Sequence, residues 1–173
     1  MEILKLINNG SKQLKDKNIY SYKLDSEILL SEALNQTREK TLINLNQKIE
    51  PQKVIDFYRL IERRSSNEPI AYILKKKEFW SKSFLVNHNT LIPRPETELM
   101  VEKIVKIFKT KDIFILDIGT GTGCILLSIL SELKKSKGIG IDISSKAIKI
   151  ANENSKKHKL TQRTKFYRRS LSE

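Results

Sequence analysis

The residues best suited to chemistry lie between Asp117 and Asp142. Asp117 closes a short apolar run and opens Gly119-Thr-Gly-Thr-Gly123, and a second acid, Asp142, closes Gly138-Ile-Gly-Ile. Glycines at a strand-to-helix turn let the backbone curve tightly and let a ligand approach without meeting a Cβ. An acid at the end of the next strand is placed to accept hydrogen bonds from two ribose hydroxyls, so the pattern points to an adenosine-type nucleotide. The spacing narrows the choice. The dinucleotide fingerprint G-x-G-x-x-G needs its third glycine where Cys124 stands, and the phosphate-cradling G-x-x-x-x-G-K-[ST] needs a Lys after Gly123. A pyrophosphate site is therefore disfavoured.

Elements of regular structure must hold this loop. Asp112-Ile-Phe-Ile-Leu-Asp117 reads as a buried parallel strand, Cys124–Leu130 as a helix, Gly138–Asp142 as a second strand, and Thr164–Tyr167 as the start of a third. Ser144 is placed to cap a helix running to about Lys157. Strand, glycine loop, helix, strand, acid is the first half of a doubly wound α/β sheet. Upstream, Leu4, Ile7, Leu14, Leu24, Ile28, Leu29, Ala33 and Leu34 recur at helical steps. Pro51 opens a helix with Val54, Phe57, Tyr58 and Ile61 on one side, and Asn67-Glu-Pro69 ends the helical pattern. Glu78-Phe-Trp80 and Phe84-Leu-Val86, separated by Ser81-Lys-Ser83, read as a β-hairpin. In Leu91-Ile-Pro-Arg-Pro-Glu-Thr-Glu98, Pro95 suits a first helical turn whose dipole Glu96 and Glu98 would complement. That helix would run to about Phe108, presenting Leu99, Val101, Ile104, Val105 and Phe108.

An Asp-x-Gly-x-Gly-x-Gly loop is typical of methyltransferases that use S-adenosylmethionine, whose sulfonium and amino-acid tail stand where a dinucleotide carries phosphates. Asp117 is then placed either to hold the cationic amino end of that tail or to bond N–H groups of the loop. Five segments together resemble the PrmC/HemK family of peptide chain release factor glutamine methyltransferases. They are Glu68-Pro-Ile-Ala-Tyr-Ile-Leu, Glu78-Phe-Trp, Phe84-Leu-Val-Asn, Leu91-Ile-Pro-Arg-Pro-Glu-Thr-Glu-Leu and Ile115-Leu-Asp-Ile-Gly-Thr-Gly-Thr-Gly. The resemblance covers essentially the whole chain. It implies an α+α/β chain with a substrate-recognition helical bundle over residues 1–75, a β-hairpin linker over 76–92, and the first half of a class I, Rossmann-like methyltransferase domain over 93–173. It also implies methyl transfer from S-adenosyl-L-methionine to the glutamine side-chain amide in the Gly-Gly-Gln motif of class I release factors. Carried over by position, Gly119, Thr120, Gly121, Thr122 and Gly123 line the cofactor, Asp142 holds its ribose, and the Arg94–Glu98 segment lies beside its pocket.

The family holds the substrate amide with Asn-Pro-Pro-Tyr. This chain's prolines are Pro51, Pro69, Pro93 and Pro95, so the motif is not among its 173 residues, and no catalytic residue is assigned. Beyond the third strand, relatives place an acid and often a Trp near the cofactor's base, where this chain reads Arg168-Arg-Ser-Leu-Ser-Glu173. A half-sheet of this kind leaves its third strand as an open edge with an uncovered apolar face. The chain is expected to represent a truncated product or one piece of a longer protein, without turnover or tight cofactor binding by itself. A non-enzymatic, partner-binding remnant is the second reading. A nucleic-acid methyltransferase is the third, since related enzymes methylate adenine amino groups with a similar motif.

Composition excludes other classes. With 33 Lys and Arg against 20 Asp and Glu the net charge is +13, yet the lysines are scattered along predicted helix faces and name no partner, so nucleic acid is not expected as a direct substrate. One cysteine excludes a disulfide scaffold, and no apolar run approaches the roughly 20 residues that cross a bilayer. The N-terminus lacks a signal-peptide pattern, so a cytoplasmic monomer without membrane contact is expected. His88 and His158 have no second ligand at metal spacing and read as surface histidines. Cys124 reads as a small packed residue, and Trp80 as hairpin packing or a substrate contact.

Overall fold

A computed structural model describes residues 1–170; residues 171–173, the end of the segment expected near the cofactor's base, lie outside the described residues. The chain divides into two compact units, Met1–Leu74 and a second that begins at Lys75.

The first unit is helical: α1 (Ile3–Asp16), α2 (Tyr22–Ala33), α3 (Arg38–Ile43), α4 (Pro51–Ser65) and α5 (Ile70–Leu74). The buried stripe of α1 is Ile3, Leu6, Ile7, Gly10 and Leu14. Leu4 and Leu24, which share the expected face by spacing, are instead nearly half exposed. At about 100° per residue, Leu4 falls about 90° from the middle of the buried stripe, which lies between Ile3 and Leu14, and so on its flank. α4 follows the expectation, with Phe57 and Ile61 fully buried and Val54 and Tyr58 at the margin of the same cluster. The close approach of α1 depends on Gly10, where a Cβ would lie 2.6 Å from both Phe57 Cζ and Ser26 Oγ. Polar contacts tie the helices together. The Ser26 hydroxyl donates to the Ile7 carbonyl (2.9 Å), and the Asp25 carboxylate accepts from Arg64 Nε and the Ser21 hydroxyl, both at 2.7 Å. Asn18, Asn35 and Asn67 follow the caps of α1, α2 and α4 with φ of 57°, 52° and 62°, the left-handed stop that glycine more often supplies.

The second unit opens with a hairpin, β1 (Lys76–Phe79) and β2 (Lys82–Leu85), paired so that Phe79 faces Lys82. This moves the expected strands: Trp80 and Ser81 are the turn, and Lys82 and Ser83 belong to β2. The reason lies in the core, where Phe79 and Phe84 are buried with ring centroids 6.2 Å apart, whereas a one-residue slip would turn one of them to the opposite face. The hairpin packs with the second unit's core. Trp80 and Ser81 have φ of 53° and 52°, the left-handed pair that a two-residue hairpin turn demands and that Asn-Gly fills more easily. Replacing Ser81 with glycine is expected to stabilise the protein by about 0.5–1 kcal/mol, read as a raised urea midpoint. An unchanged midpoint would show the turn to be unstrained.

A 3-10 turn (Pro95–Thr97) leads into α6 (Glu98–Phe108), followed by β3 (Phe114–Ile118), α7 (Cys124–Glu132), β4 (Lys137–Asp142), α8 (Ser145–Lys157) and β5 (Thr164–Arg168). On α6, Val101 is buried and Ile104, Val105 and Phe108 are partly so, but Leu99 is exposed. As expected, the Ser144 hydroxyl caps α8, accepting the Ala147 N–H at 3.2 Å. The strands run parallel in the order β3-β4-β5, with Leu116 beside Ile139 and Ile139 beside Lys165. α7 can lie close to β4 because Gly138 leaves room: a Cβ there would stand 2.5 Å from Leu126 Cδ1 and 2.8 Å from the Ile115 carbonyl. The opposite face departs from the expected buried strand. Phe114, Leu116 and Ile118 are 66%, 54% and 53% exposed, so β3 is covered on one side only. Both β3 and β5 are edges of this sheet, not the third strand alone. Among the described residues no helix is long and apolar enough to cross a membrane.

Candidate functional site

The loop between β3 and α7 is built on three left-handed glycines, with φ of 73° at Gly119, 54° at Gly121 and 77° at Gly123. Their backbone geometry is why glycine stands there, but they differ in what surrounds them. A Cβ at Gly119 would meet nothing within 4 Å, whereas one at Gly123 would press on Leu127 and Phe166 at 3.2 Å. Gly119 therefore faces open space where a ligand can approach, and Gly123 seats the loop on the core. The Gly119 and Thr120 N–H groups both donate to the Ile141 carbonyl at 2.9 Å, fastening the loop to β4.

Thr120 and Thr122 are buried, their side chains used inside the loop. The Thr120 hydroxyl donates to Asp117 Oδ2 at 2.7 Å, and the Thr122 hydroxyl accepts the Cys124 N–H at 3.3 Å. Asp142 is brought to the loop across the sheet: its Oδ2 accepts the Gly121 N–H at 3.0 Å and its Oδ1 accepts the Ser144 N–H at 2.9 Å. A carboxylate offers about four acceptor positions, so each oxygen keeps one for a ribose hydroxyl. Of the two roles open to Asp117, the structure shows an acid bonded within the loop, to the Thr120 hydroxyl.

Burial pushes the Asp117 carboxyl above its usual range; the Thr120 hydroxyl and the Leu126 N–H oppose this, and the nearby Asp142 charge adds to it. Because folding raises this pKa, the folded state holds the proton more readily than the unfolded chain. The ionised group therefore costs stability at neutral pH, a cost that fades as pH falls through the raised value towards the ordinary one. Asp117→Asn is expected to melt higher than the parent at pH 7, with the gap closing in acid. Equal melting at both pH values would contradict this.

Several residues that position the site are not evident from motif reading. Asn154 of α8 donates to the Thr122 carbonyl (2.9 Å) and the Leu85 carbonyl (3.0 Å), and accepts the Leu85 N–H at 2.7 Å. It joins the glycine loop to the hairpin, and its only signal in the sequence is a polar residue on the stripe of Ala147, Ile150 and Ala151. Glu98 does more than complement a helix dipole, since it accepts the Trp80 N–H at 2.9 Å. The Trp80 indole donates to Glu132 at 3.0 Å, consistent with hairpin packing. Cys124 is buried, and burial pushes its thiol up to about 11, so it is a packed residue. His158, expected at the surface, instead lays its ring against Phe84 with centroids 4.6 Å apart, and burial beside Lys157 and Lys82 holds its pKa below the usual value. Among the described residues no three His, Cys, Asp or Glu side chains gather to hold a metal ion.

To this parallel sheet, three-glycine loop and acid bonded to the loop at the next strand's end the comparisons add that residues 109–173 match the methyltransferase domain family. Residues 5–74 match the PrmC N-terminal domain. The two units are thus each similar to a different known domain. It is 39% identical to the release factor glutamine methyltransferase of Buchnera aphidicola subsp. Acyrthosiphon pisum, an alignment covering 96% of this chain and 60% of that protein. With its counterpart from subsp. Baizongia pistaciae the identity is 43%, over 92% of this chain and 58% of the relative. A bifunctional methyltransferase of Rickettsia typhi is 36% identical over 93% of this chain and 35% of its own length. The chain thus spans about three fifths of the release factor enzymes it resembles.

Proposed function

We propose that this chain provides the cofactor-binding half and the substrate-docking domain of a release factor glutamine methyltransferase. The observation that carries the reading is the bond from Gly121 N–H to Asp142, which sets the acid against the glycine loop beside the open face of Gly119. The residues fit S-adenosylmethionine: Gly119 and Gly121 offer backbone without side chains, Asp142 keeps acceptors for the ribose, and Asp117 adds negative charge suited to a cationic ligand rather than to a pyrophosphate. When bound, that cofactor supplies an electrophilic methyl group on a sulfonium. What these residues do is orient it and keep a phosphate-bearing nucleotide out.

The acceptor is the side-chain amide of the Gly-Gly-Gln glutamine, in a class I release factor docked with the help of residues 5–74. An amide nitrogen is a poor nucleophile and needs its N–H groups fixed on acceptors, a task that Asn-Pro-Pro-Tyr performs in the family and that no segment of these 173 residues supplies. The test is transfer of a labelled methyl group to a release factor carrying Gly-Gly-Gln. The chain is assayed alone and mixed with the portion of the Buchnera aphidicola enzyme that it does not span. No transfer alone and transfer in the mixture is the expected result. Methylation of an oligonucleotide instead would favour the nucleic-acid reading, and release-factor binding with no affinity for S-adenosylhomocysteine would favour a non-enzymatic docking protein.

A further inference from the structure

The loops that enter β3 and β4 enclose a polar cavity of about 310 Å³, at the end of the sheet opposite the glycine loop and Asp142. At about 3.3 Å per residue the two ends of these strands stand roughly 15 Å apart, so the cavity is separate from the cofactor site. Its lining carries four lysines, Lys109, Lys111, Lys134 and Lys135, against two acids, Asp112 and Glu132. Glu132 is already engaged, accepting the Trp80 indole N–H at 3.0 Å and the Ser131 hydroxyl at 3.3 Å. The walls are fixed from within: the buried Ser136 hydroxyl accepts the Ile113 N–H at 3.1 Å, and the Lys111 N–H donates to the Phe108 carbonyl at 2.9 Å. Lysines that follow a helix often serve as its cap. At α7 that need is met elsewhere, since Arg163 donates to the Leu130, Leu133 and Ser136 carbonyls at 2.7, 2.9 and 3.0 Å and Lys134 donates to the Ser131 carbonyl. Lys109, Lys111 and Lys135 form no ion pair among the described residues, so three exposed charges share one polar hollow.

We propose that this cavity binds the phosphate backbone of a nucleic acid strand, without reading its sequence and independently of the cofactor site. The lining decides the class of partner. Protein partners draw most of their affinity from buried apolar or aromatic anchors. Among the described residues that line the cavity, Leu133 alone is apolar and is only 5% exposed, and none is an aromatic on which a base could stack. What remains is lysine, a compact point charge suited to phosphate oxygens. A strand gains affinity here by releasing its counterions, a gain that grows with the number of phosphates met and falls away with salt. It is a docking partner and not a methyl acceptor, because the glycine loop lies at the other end of the sheet.

The experiment is fluorescence anisotropy of a labelled oligouridylate titrated with the chain across a salt series. Three phosphate contacts on a single strand give an expected slope of about −2 in log affinity against log salt. Lys109→Gln, Lys111→Gln and Lys135→Gln should each reduce the magnitude of that slope by about 0.7, and the triple variant should bind at least about tenfold more weakly at low salt. The corresponding triple arginine variant keeps the charges and should stay within about threefold of the parent. Saturating S-adenosylhomocysteine should leave the oligonucleotide affinity unchanged. As a control, Lys146→Gln, Lys149→Gln and Lys156→Gln together remove the same charge from exposed positions of α8 in the same unit. An equal loss in that control would show attraction by net charge alone and overturn the proposal. It would also be overturned by a parent that does not bind at low salt, by a slope that the triple glutamine variant leaves unchanged, or by lost binding in the arginine variant. Competition by S-adenosylhomocysteine would move the strand to the cofactor site, and displacement by polyglutamate at equal charge would favour an acidic protein partner; either result overturns the proposal.

Discussion

Asp142→Ala is expected to weaken S-adenosylhomocysteine binding by at least about 100-fold, the loss of two hydrogen bonds to a charged acceptor. The substitution acts twice. It removes the acceptors offered to the ribose, and it frees the Gly121 and Ser144 N–H groups that fix the loop and the start of α8 relative to one another. Asp142→Asn removes only part of each effect, since the amide oxygen can still accept one of those N–H groups but its nitrogen cannot accept the other. Affinity for the asparagine variant should fall between parent and alanine. Dialysis gives the affinities, and thermal melting of the same samples shows whether the fold survives. Parent-like binding by the alanine variant would remove Asp142 from the site.

The second large effect lies in the helical unit. Asp25→Ala is expected to destabilise that unit by about 3 kcal/mol, as breaking one side of a buried ion pair does. Asp25 and Arg64 side chains are only 5% and 17% exposed, and Asp25 is the shared acceptor for Arg64 and Ser21. Removing it leaves a cation and a hydroxyl without their partner between α2 and α4. Arg64→Met alone should cost less, because methionine fills the space of the stem and Asp25 keeps Ser21. The double variant, Asp25→Ala with Arg64→Met, should lose less than the sum of the two single losses, and a coupling near zero in that cycle would show the pair to be idle. Urea unfolding of the intact chain followed by far-ultraviolet circular dichroism reads all of these.

Much of the second unit was legible because its signals are local. The glycine loop, the Ser144 cap and the alternation of β4 each depend on residues adjacent in sequence, and each is found where spacing puts it. The hairpin register was not, since the choice between turning at Ser81–Ser83 and at Trp80–Ser81 is made by the distant core into which Phe79 and Phe84 pack. Leu4 and Leu24 were misplaced for the same kind of reason: which apolar flank of a helix is buried depends on the crossing at Gly10, and that crossing is set by Phe57 some fifty residues away. At the site, the glycines and Asp142 were legible by motif, whereas Asn154 was not, because one polar residue on an apolar stripe carries no indication of its partners. The charge also looks different once the units are known. Residues 1–74 hold 12 Lys and Arg against 10 Asp and Glu, and residues 75–173 hold 21 against 10, so +11 of the surplus lies in the second unit and +2 in the helical one. Any attraction for an acidic partner through net charge is therefore expected to act through the unit that carries the glycine loop.

Asn154 has one more consequence. Its amide presents Leu85 with one donor and one acceptor, the same pair that a neighbouring strand would present. At Leu85 the backbone N–H and C=O that point away from β1 are thus both paired, and a strand from another molecule finds no free backbone at that residue. One amide thus covers an edge position of β2 as well as bracing the loop. Substituting it with leucine would preserve bulk while reopening a template for intermolecular sheet growth.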